Sequence, residues 1–380
     1  MSSMEKKKKK RKRKTGTTTA PLLPDDLLLS CFARVSRLYY PTFSLVSKRF
    51  RSLIASPELY KARSLLGNTE KFLYLCLRSH PPSLLYNLCL KPSQTLINEK
   101  GKSSVSVLAT VPIPSSPSAH FQGLVAVGCN IYNIKETPCM EEENKEELSS
   151  NVSILDCRTH TWREAPSLPV KLLTLSASVL DTKIYVSGIG YKDGDSWGFL
   201  KNTFEVFDTK TQIWDPETIP CSETKCSFFN SKSAWIDGKF HVMANKVVAY
   251  NSKEVRWDMV GQEMGKYMNS DTYCVIENVL YSASKGVLRW YDSEVSRWKY
   301  LKGELRKLSL GDCVRLADYG GKLAVLWEED LVGDKKILCA EIALERRKIE
   351  REIFGKVEWF SDVLTVPNSC SIVKVLAVTL

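Results

Sequence analysis

With 380 residues, of which 43% are hydrophobic and 26% charged, the chain has the size and composition of a folded protein of two or three domains, which excludes a wholly disordered chain. No stretch approaches the 18 consecutive apolar residues of a membrane-spanning helix, so no membrane association is expected. The net charge of +11 is concentrated near one end, because Lys6–Lys14 hold nine positive charges and Glu5 one negative charge, which together supply +8.

The run KKKKKRKRK at residues 6–14 is expected to form a disordered basic tail over residues 1–20. Its functional interpretation is a nuclear-import signal, and the alternative is a solubilising, weakly anion-binding arm. No secretory signal is expected, because polar TGTTTA follows the run where an apolar segment would be needed. The remaining +3 is spread over the rest of the chain, which argues against nucleic acid as a partner. The expected location is the nucleus, the cytoplasm or both.

The twelve cysteines and four histidines do not form a recognisable metal site. No two cysteines have C-x-x-C spacing, and no histidine lies near them at ligand spacing. Several cysteines stand inside apolar runs, where a thiol acts as a small hydrophobic group, so a reducing compartment is expected. No metal and no other cofactor is expected.

Residues 21–67 have the pattern of three short helices. The first opens with Pro24 in its first turn, ahead of Asp25 and Asp26, and has a repeated apolar face that includes Leu28 and Phe32. The second is expected across YYPTFSLVSKRFRSLIAS, with one apolar face at Phe43, Val46, Phe50 and Leu53. The third begins after Ser56 as its N-cap, with Pro57 at its first position.

This helical segment resembles the F-box, the module that docks a substrate receptor onto the Skp adaptor of a cullin-type ubiquitin ligase. The matching residues are Leu23-Pro24 with Leu27 and Leu28, followed by LVSKRFRSLI at residues 45–54, in which Phe50 stands where the family often has Trp. The resemblance implies that six residues contribute to adaptor binding or to the core beneath it: Leu23, Pro24, Leu27, Leu45, Val46 and Leu53. The alternative is that the leucines beyond those needed for one helix face pack on the rest of the chain.

A repeated motif marks the remainder of the chain. ILDCRTHTW, VFDTKTQIW, AYNSKEVRW and WYDSEVSRW align without gaps, and in each an Asp or Asn precedes a Trp by six positions. The pairs are Asp156 and Trp162, Asp208 and Trp214, Asn251 and Trp257, and Asp292 and Trp298. Asp and Asn accept hydrogen bonds from the backbone just after them and so start turns. The Trp on the returning strand is expected to pack between sheets.

Each motif is preceded by a further strand, as in DTKIYVSG and DGKFHVMA, and in the first copy by QGLVAVGC at residues 122–129. About four short strands in every 40 to 50 residues are typical of the blades of a β-propeller. The repeat resembles the kelch motif from about residue 121 to 366. Two departures are the absence of the family's double glycine after the second strand, with SGIG at residues 187–190 nearest to it, and an irregular fifth unit with Phe354 near the expected Trp.

The predicted fold is therefore a small all-α F-box followed by an all-β kelch-type propeller over residues 70–380. The expected blades are about 121–169, 172–220, 228–263, 268–305 and 313–366. A sixth, split blade combining 71–90 with 371–380 is expected to close the ring.

The sequence contains no nucleotide-binding, hydrolase or metalloprotease signature, so catalysis by the chain itself is not expected. By its resemblance it would be the substrate receptor of a Skp–cullin–F-box ubiquitin ligase, with a Skp-type adaptor, through it cullin and RING subunits, and a target protein as partners. The alternative is a kelch scaffold in the nucleus that never takes part in ubiquitin transfer. The helical module distinguishes the two, because a scaffold has no need of it.

Overall fold

A computed structural model describes residues 23–78, 84–90, 108–112, 123–136, 151–191, 201–217, 219, 221, 227–268, 272–305, 308–311 and 313–380. The chain divides into two compact units, which meet in sequence between Asn68 and Thr69. The first is a small helical unit and the second an all-β propeller. Within the described ranges, no helix is long and apolar enough to cross a membrane.

The helical unit contains four α-helices where the sequence predicted three. They are α1 (Asp25–Phe32), α2 (Tyr40–Ser44), α3 (Lys48–Ile54) and α4 (Pro57–Leu65), with a 3-10 turn at Arg37–Tyr39 before α2. The predicted second helix is broken because Ser47 adopts an extended conformation and its hydroxyl accepts a hydrogen bond from the N–H of Phe50, at 3.1 Å. Pro24 also differs from prediction, since it precedes α1 as its N-cap.

The core of this unit forms where the helices meet. Leu28 and Phe32 of α1 pack with Ala33, Tyr40 and Leu59, and Phe43, Phe50 and Leu53 cover this cluster from α2 and α3. The ring of Phe32 lies 4.9 Å from that of Phe50, edge to face. Val46, predicted to share a face with Phe43, Phe50 and Leu53, does not join the cluster, because it lies in the break between α2 and α3.

The propeller consists of 25 described strands. The first three are β1 (Lys71–Arg78), β2 (Leu84–Leu90) and β3 (Leu108–Pro112). The next sheet contains β4 (Leu124–Val127), β5 (Asn130–Ile134), β6 (Val152–Asp156) and β7 (Thr161–Ala165). It is followed by β8 (Lys171–Leu180), β9 (Lys183–Tyr191), β10 (Lys201–Asp208) and β11 (Ile213–Trp214).

The second half continues the same pattern. Its first sheet contains β12 (Lys232–Ile236), β13 (Lys239–Met243), β14 (Val247–Asn251) and β15 (Arg256–Val260), and a 3-10 helix follows at Gln262–Tyr267. The next contains β16 (Tyr273–Ile276), β17 (Val279–Ser284), β18 (Val287–Asp292) and β19 (Arg297–Tyr300). The remaining strands are β20 (Lys302–Gly303), β21 (Arg315–Asp318), β22 (Leu323–Asp330), β23 (Asp334–Arg347), β24 (Glu352–Pro367) and β25 (Ser371–Thr379).

Five sheets are built from strands that follow one another in the chain, and a further sheet combines both ends of the propeller in the order β25-β1-β2-β3. In this composite sheet β1 and β25 run antiparallel, from Lys71 opposite Thr379 to Arg78 opposite Ser371. The innermost strands β4, β8, β12, β16, β21 and β25 contact one another in that order, and β25 contacts β4. The sheets therefore form a closed ring.

Three details of the strand pattern differ from prediction. QGLVAVGC contains the innermost strand β4, so the counterpart of DTKIYVSG in the first repeat is β5, which follows the turn at Gly128. Lys302 and Gly303, placed at the end of the fourth blade, pair in parallel with β24 of the next sheet. The composite sheet also includes β3, which was not assigned to it from the sequence.

The Asp or Asn of each repeat starts the turn that the sequence predicted. The side-chain oxygen of Asp156, Asp208, Asn251 and Asp292 accepts a hydrogen bond from the backbone N–H two residues later, at 2.8 to 3.1 Å. The last residue of every four-residue loop has a φ of +51° to +60°, the left-handed conformation. The four hairpins thus share one loop geometry, although their loop residues differ.

The repeated tryptophans join neighbouring sheets. Trp214 packs in the cluster that contains Ile154 and Val152 of the preceding sheet, and its indole N–H donates to the carbonyl of Pro166 at 2.9 Å. Trp257 contacts the ring of Phe204 from the preceding sheet, 5.2 Å away, and Trp298 packs against the cluster beneath β12–β15. Each of these three indoles therefore connects its own sheet to the one before.

The fifth unit keeps the hairpin but not its side chains. Arg347 pairs with Glu352 across another four-residue loop, and Arg351 has the left-handed φ of +52°. Counted from Arg347 as the Asp is counted in the other repeats, Ile353 occupies the Trp position, directly before Phe354, which the sequence placed near it. Ile353 is buried between this sheet and the one before it.

Truncating Trp214 to Ala should lower the free energy of unfolding of the propeller by about 3–5 kcal/mol, because it leaves a cavity between two sheets. All nine tryptophans lie at residue 162 or beyond, so indole fluorescence during urea unfolding of the full chain reports the propeller alone. Ile213→Ala, at the exposed neighbouring residue on β11, is the matched control and should change this energy by less than about 1 kcal/mol. Equal losses in the two variants would contradict the packing role.

Candidate protein-binding surfaces

The helical unit exposes apolar side chains that a folded domain of this size would ordinarily bury. Leu23 and Leu27 are 55% and 50% exposed, and Leu45 and Val46 are 78% and 64% exposed. Pro24 is exposed as well. These five residues, here called the apolar surface, include all but one of the adaptor-binding residues predicted from the sequence. The sixth, Leu53, is half-buried against the core and belongs to the layer beneath.

The break between α2 and α3 accounts for two of the five residues of the apolar surface. Leu45 follows the last residue of α2, and Ser47 turns the backbone to start α3, so Leu45 and Val46 lie in the short connection and cannot reach the core. On α1, Leu27 precedes the buried Leu28 and therefore lies on a different face of the helix. Local backbone geometry is thus what exposes these side chains.

An ion pair connects the two segments that carry the apolar surface. Arg49, at the start of α3, donates from Nε to Asp25 Oδ1 at 2.7 Å and from Nη2 to the same oxygen at 2.5 Å. Nη2 also donates to the carbonyl of Leu23, at 2.5 Å. Because both partners are partly exposed, the pair contributes little to stability. Its effect is geometric, since it holds the chain leading into α1 against α3.

A buried arginine supports the helices from the inside. Arg63 of α4 is 1% exposed, and its Nη1 donates to the carbonyl of Val35 at 2.7 Å and to the Tyr40 hydroxyl at 3.0 Å. The Tyr40 hydroxyl in turn donates a hydrogen bond to the carbonyl of Phe32, at 2.9 Å. Burial raises the pKa of Tyr40, although the charge of Arg63 opposes the shift. The network joins α4 to the ends of α1 and α2.

The propeller has a central cavity of about 700 Å³. All six innermost strands line it, and five of them contribute an alanine: Ala126, Ala177, Ala234, Ala317 and Ala377. Small residues are needed because the inner strands converge on the axis. Within one sheet, a side chain at Gly188 would meet the carbonyl oxygen of Thr174 at 2.1 Å, so SGIG has its glycines where β9 approaches β8 beside a shift in strand register.

Several titratable side chains of the propeller are buried or hydrogen-bonded in ways that fit a structural role. Burial raises the pKa of the Cys76 and Cys221 thiols to about 12 each and that of Cys274 well above its usual value, so these thiols stay protonated. Burial also lowers the pKa of His241, which bonds the carbonyl of Lys239. The ring of His160 meets the Tyr74 hydroxyl at 3.1 Å. In the described ranges, no cluster of three His, Cys, Asp or Glu side chains could hold a metal ion.

The turn aspartates illustrate how a repeat stabilises a charge. For Asp156, burial favours the protonated form, but hydrogen bonds from the side chain and backbone of Arg158 outweigh it and lower the pKa. For the exposed Asp208, the backbone N–H groups of Lys210 and Thr211 lower the pKa directly. Both carboxylates therefore stay charged while the hairpins are formed. Their role is to start turns.

Two further segments lie mostly outside the described residues. They are the glutamate-rich stretch Lys135–Ser150, of which 137–150 are not described, and the stretch Gly190–Asn202 with Trp197, of which 192–200 are not described. Arg49 and Arg63 were not predicted as functional residues from the sequence. Arg49 has no distinguishing signal in the sequence. Arg63 follows the buried Leu59 by four positions and so lies on the inner face of α4, but its partners Val35 and Tyr40 follow only from the fold.

Comparison with known proteins agrees with both units. The F-box domain model matches residues 21–62, and the model described as FKB95, Kelch-repeats domain matches residues 85–364. Three F-box/kelch-repeat proteins of Arabidopsis thaliana are 55%, 50% and 51% identical to the chain over 373, 372 and 374 residues. The alignments cover 94%, 94% and 95% of this chain and 99%, 93% and 94% of the relatives.

Replacing Arg63 by Leu should destabilise the helical unit by about 2–4 kcal/mol, because the Val35 carbonyl and the Tyr40 hydroxyl lose a buried donor. Hydrogen exchange of the amides of α1 and α4 in the full chain should accelerate, while the urea midpoint followed by indole fluorescence should not move. Lys61→Leu, at an exposed position of the same helix, is the control. Unchanged exchange in Arg63→Leu would contradict the supporting role.

Proposed function

Because the chain belongs to the F-box/kelch-repeat family of plants, we propose that it is the substrate-recognition subunit of a Skp–cullin–F-box ubiquitin ligase. In this role the helical unit docks a Skp-type adaptor, and through it the cullin and RING subunits, while the propeller binds a target protein. The observation that carries the proposal is the apolar surface, which lies within the residues matched by the F-box model.

The apolar surface suits a partner helix packed against it. Clusters of exposed apolar side chains mark protein interaction sites, and an apolar helix face docked into a groove is a common form of such an interaction. Covering a half-exposed leucine contributes roughly 1 kcal/mol, so the group supplies a useful fraction of a binding energy without needing charged contacts. The ion pair of Arg49 with Asp25 prepares the surface by fixing its two segments before the adaptor arrives.

The propeller supplies a rigid platform for the target. Its ring is closed by the pairing of β1 with β25, and we infer that this composite sheet is the sixth blade, next to the five built from consecutive strands. The chain itself supplies no chemistry in this proposal. It raises the effective concentration of target lysines near the ubiquitin-carrying components, which is a contribution of proximity.

The basic run Lys6–Lys14 is proposed to direct the chain to the nucleus, with the cytoplasm as the place of synthesis and of any remaining pool. Nine positive charges in nine consecutive residues form the dense basic sequence that an import receptor recognises. The alternative, a weakly anion-binding arm, requires no receptor.

The double variant Leu23→Ala, Pro24→Ala should abolish co-purification of the full chain with a Skp-type adaptor, because it removes apolar contacts and loosens the start of α1. Deletion of residues 21–67 should have the same effect. The urea midpoint of the propeller, followed by indole fluorescence, should be unchanged in the double variant. Leu65→Ala is the matched control, since Leu65 is 89% exposed on α4 but outside the apolar surface.

Adaptor binding that needs residues 21–67 and Leu23-Pro24 would support the receptor role and turn the problem into a search for the target. Equal binding by the wild type and the double variant would contradict the assignment of the apolar surface. If neither the full chain nor the deletion bound the adaptor, the chain would be a kelch scaffold, whose partner is held by the propeller alone.

Replacing the nine basic residues at 6–14 by Gln should lower the nuclear fraction of the full chain fused to a fluorescent protein, as measured by imaging of plant cells. A control variant with Gln only at Lys100 and Lys102 keeps the run intact and should behave like the wild type. An unchanged nuclear fraction after loss of the run would contradict the import role.

A further inference from the structure

A groove of about 400 Å³ lies along the outermost strand β19. The groove, here called the basic groove, is lined by Lys266, Tyr267, Arg289, Arg297, Trp298 and Tyr300. The 3-10 helix that carries Tyr267 is held in place by Trp298, whose indole N–H donates to the carbonyl of Glu263 at 2.7 Å. The rings of Tyr267 and Trp298 meet edge to face, 5.7 Å apart.

Arg289 is held in a fixed orientation within this groove. Its guanidinium carbon lies 4.5 Å from the ring centre of Tyr267 and 5.3 Å from that of Tyr300. Its Nη1 donates to the carbonyls of Ser284 and Val287, at 2.9 and 3.2 Å. A guanidinium oriented in this way has already lost much of its rotational freedom, so it can bind a planar anion at a reduced entropic cost.

The basic groove has an excess of positive charge. Lys266 pairs with Glu263, and Lys299 pairs with Asp292 at 2.8 Å. In the part of the chain that the structure describes, Arg289 and Arg297 have no carboxylate partner. Two positive charges therefore remain for a partner from outside.

The neighbouring sheet shows that this excess is a property of one blade. Arg256 occupies the hairpin position on β15 that Arg297 occupies on β19, and it is neutralised by Glu254 and Asp258, at 2.8 and 3.1 Å. The residues that correspond to these two acids in the next repeat are Val295 and Lys299. The hairpin is thus the same in both blades, but only β19 lacks the acids that neutralise its arginine.

We propose that the basic groove binds an extended acidic segment of the target protein, a role that deepens the proposed receptor function and rests on it. Within the described residues β19 is the last strand of its sheet, so an extended segment can lie along its outer edge. Side chains alternate between the two faces of a strand. Arg289 lies beside Tyr300 on one face of the sheet, and Arg297 is an odd number of residues from Tyr300, on the other. Two glutamates or aspartates three residues apart in the segment therefore meet one arginine on each face and accept charge-assisted hydrogen bonds.

The test uses the full chain and a fluorescein-labelled peptide, Thr-Glu-Glu-Val-Glu-Glu-Thr, in fluorescence anisotropy. The same peptide with Gln at every Glu should bind at least about tenfold more weakly. Arg289→Gln should weaken binding of the acidic peptide roughly tenfold, and Arg297→Gln roughly threefold because it is more exposed. Arg256→Gln is the matched control, and its affinity should stay within about twofold of the wild type, because Arg256 already has two acidic partners.

Arg289→Lys keeps the charge but loses the planar fork, so it should also weaken binding, with an unchanged unfolding midpoint. Equal affinity for the Glu and Gln peptides would overturn the proposal, as would equal losses in Arg297→Gln and Arg256→Gln. Tighter binding of a phosphoserine peptide than of the Glu peptide would overturn the assignment to carboxylates. Adaptor co-purification is measured separately. Peptide binding without adaptor binding would contradict the proposed receptor function but support acidic-peptide binding by the basic groove.

Discussion

The antiparallel pairing of β1 with β25 is the contact on which the propeller depends. A blade buries its two faces only when it has a neighbour on each side, and a ring provides such neighbours for every blade once its two ends are joined. The first and last strands supply that joint, and the backbone groups of Glu70 and Leu380 bond each other at its edge. Contacts from the preceding sheet secure it further, since Glu328 accepts from the backbone N–H of Ile372, and Arg315 donates to the carbonyl of Val373 at 2.8 Å.

Once the ring is closed, the repeated hairpins hold each sheet to the one before it. The Asp or Asn turn sets where the outer strand begins, and the indole six residues later then reaches the preceding sheet. The fifth unit shows that the geometry tolerates other side chains, because Arg347 and Ile353 take these places in a loop of the same length. What the ring requires is the hairpin and an apolar group between sheets. The motif is a frequent solution to that requirement.

The two proposed docking sites are exposed for different reasons. In the helical unit, a serine that caps α3 interrupts what the apolar spacing predicts as one helix, and Leu45 and Val46 are left outside the core. In the propeller, two acids pair with Arg256, but Val295 and Lys299 stand at their places in the next repeat. Arg297 therefore lacks the partners that Arg256 has. The first surface is apolar and suits a helix, and the second is basic and suits an extended acidic chain.

The sequence by itself determined the two units, the repeat and its turn chemistry, because these follow from local rules. Proline and serine begin helices, Asp and Asn start turns, and a motif repeated at blade length indicates a propeller. Only the tertiary structure decided that Ile353 stands at the fifth Trp position and that β4 is the innermost strand of its sheet, since both depend on register between strands. The same holds for Arg63 and Arg289. Their roles come from groups that are distant in the chain, and no spacing of residues along a sequence encodes which side chains a fold will bring around a guanidinium.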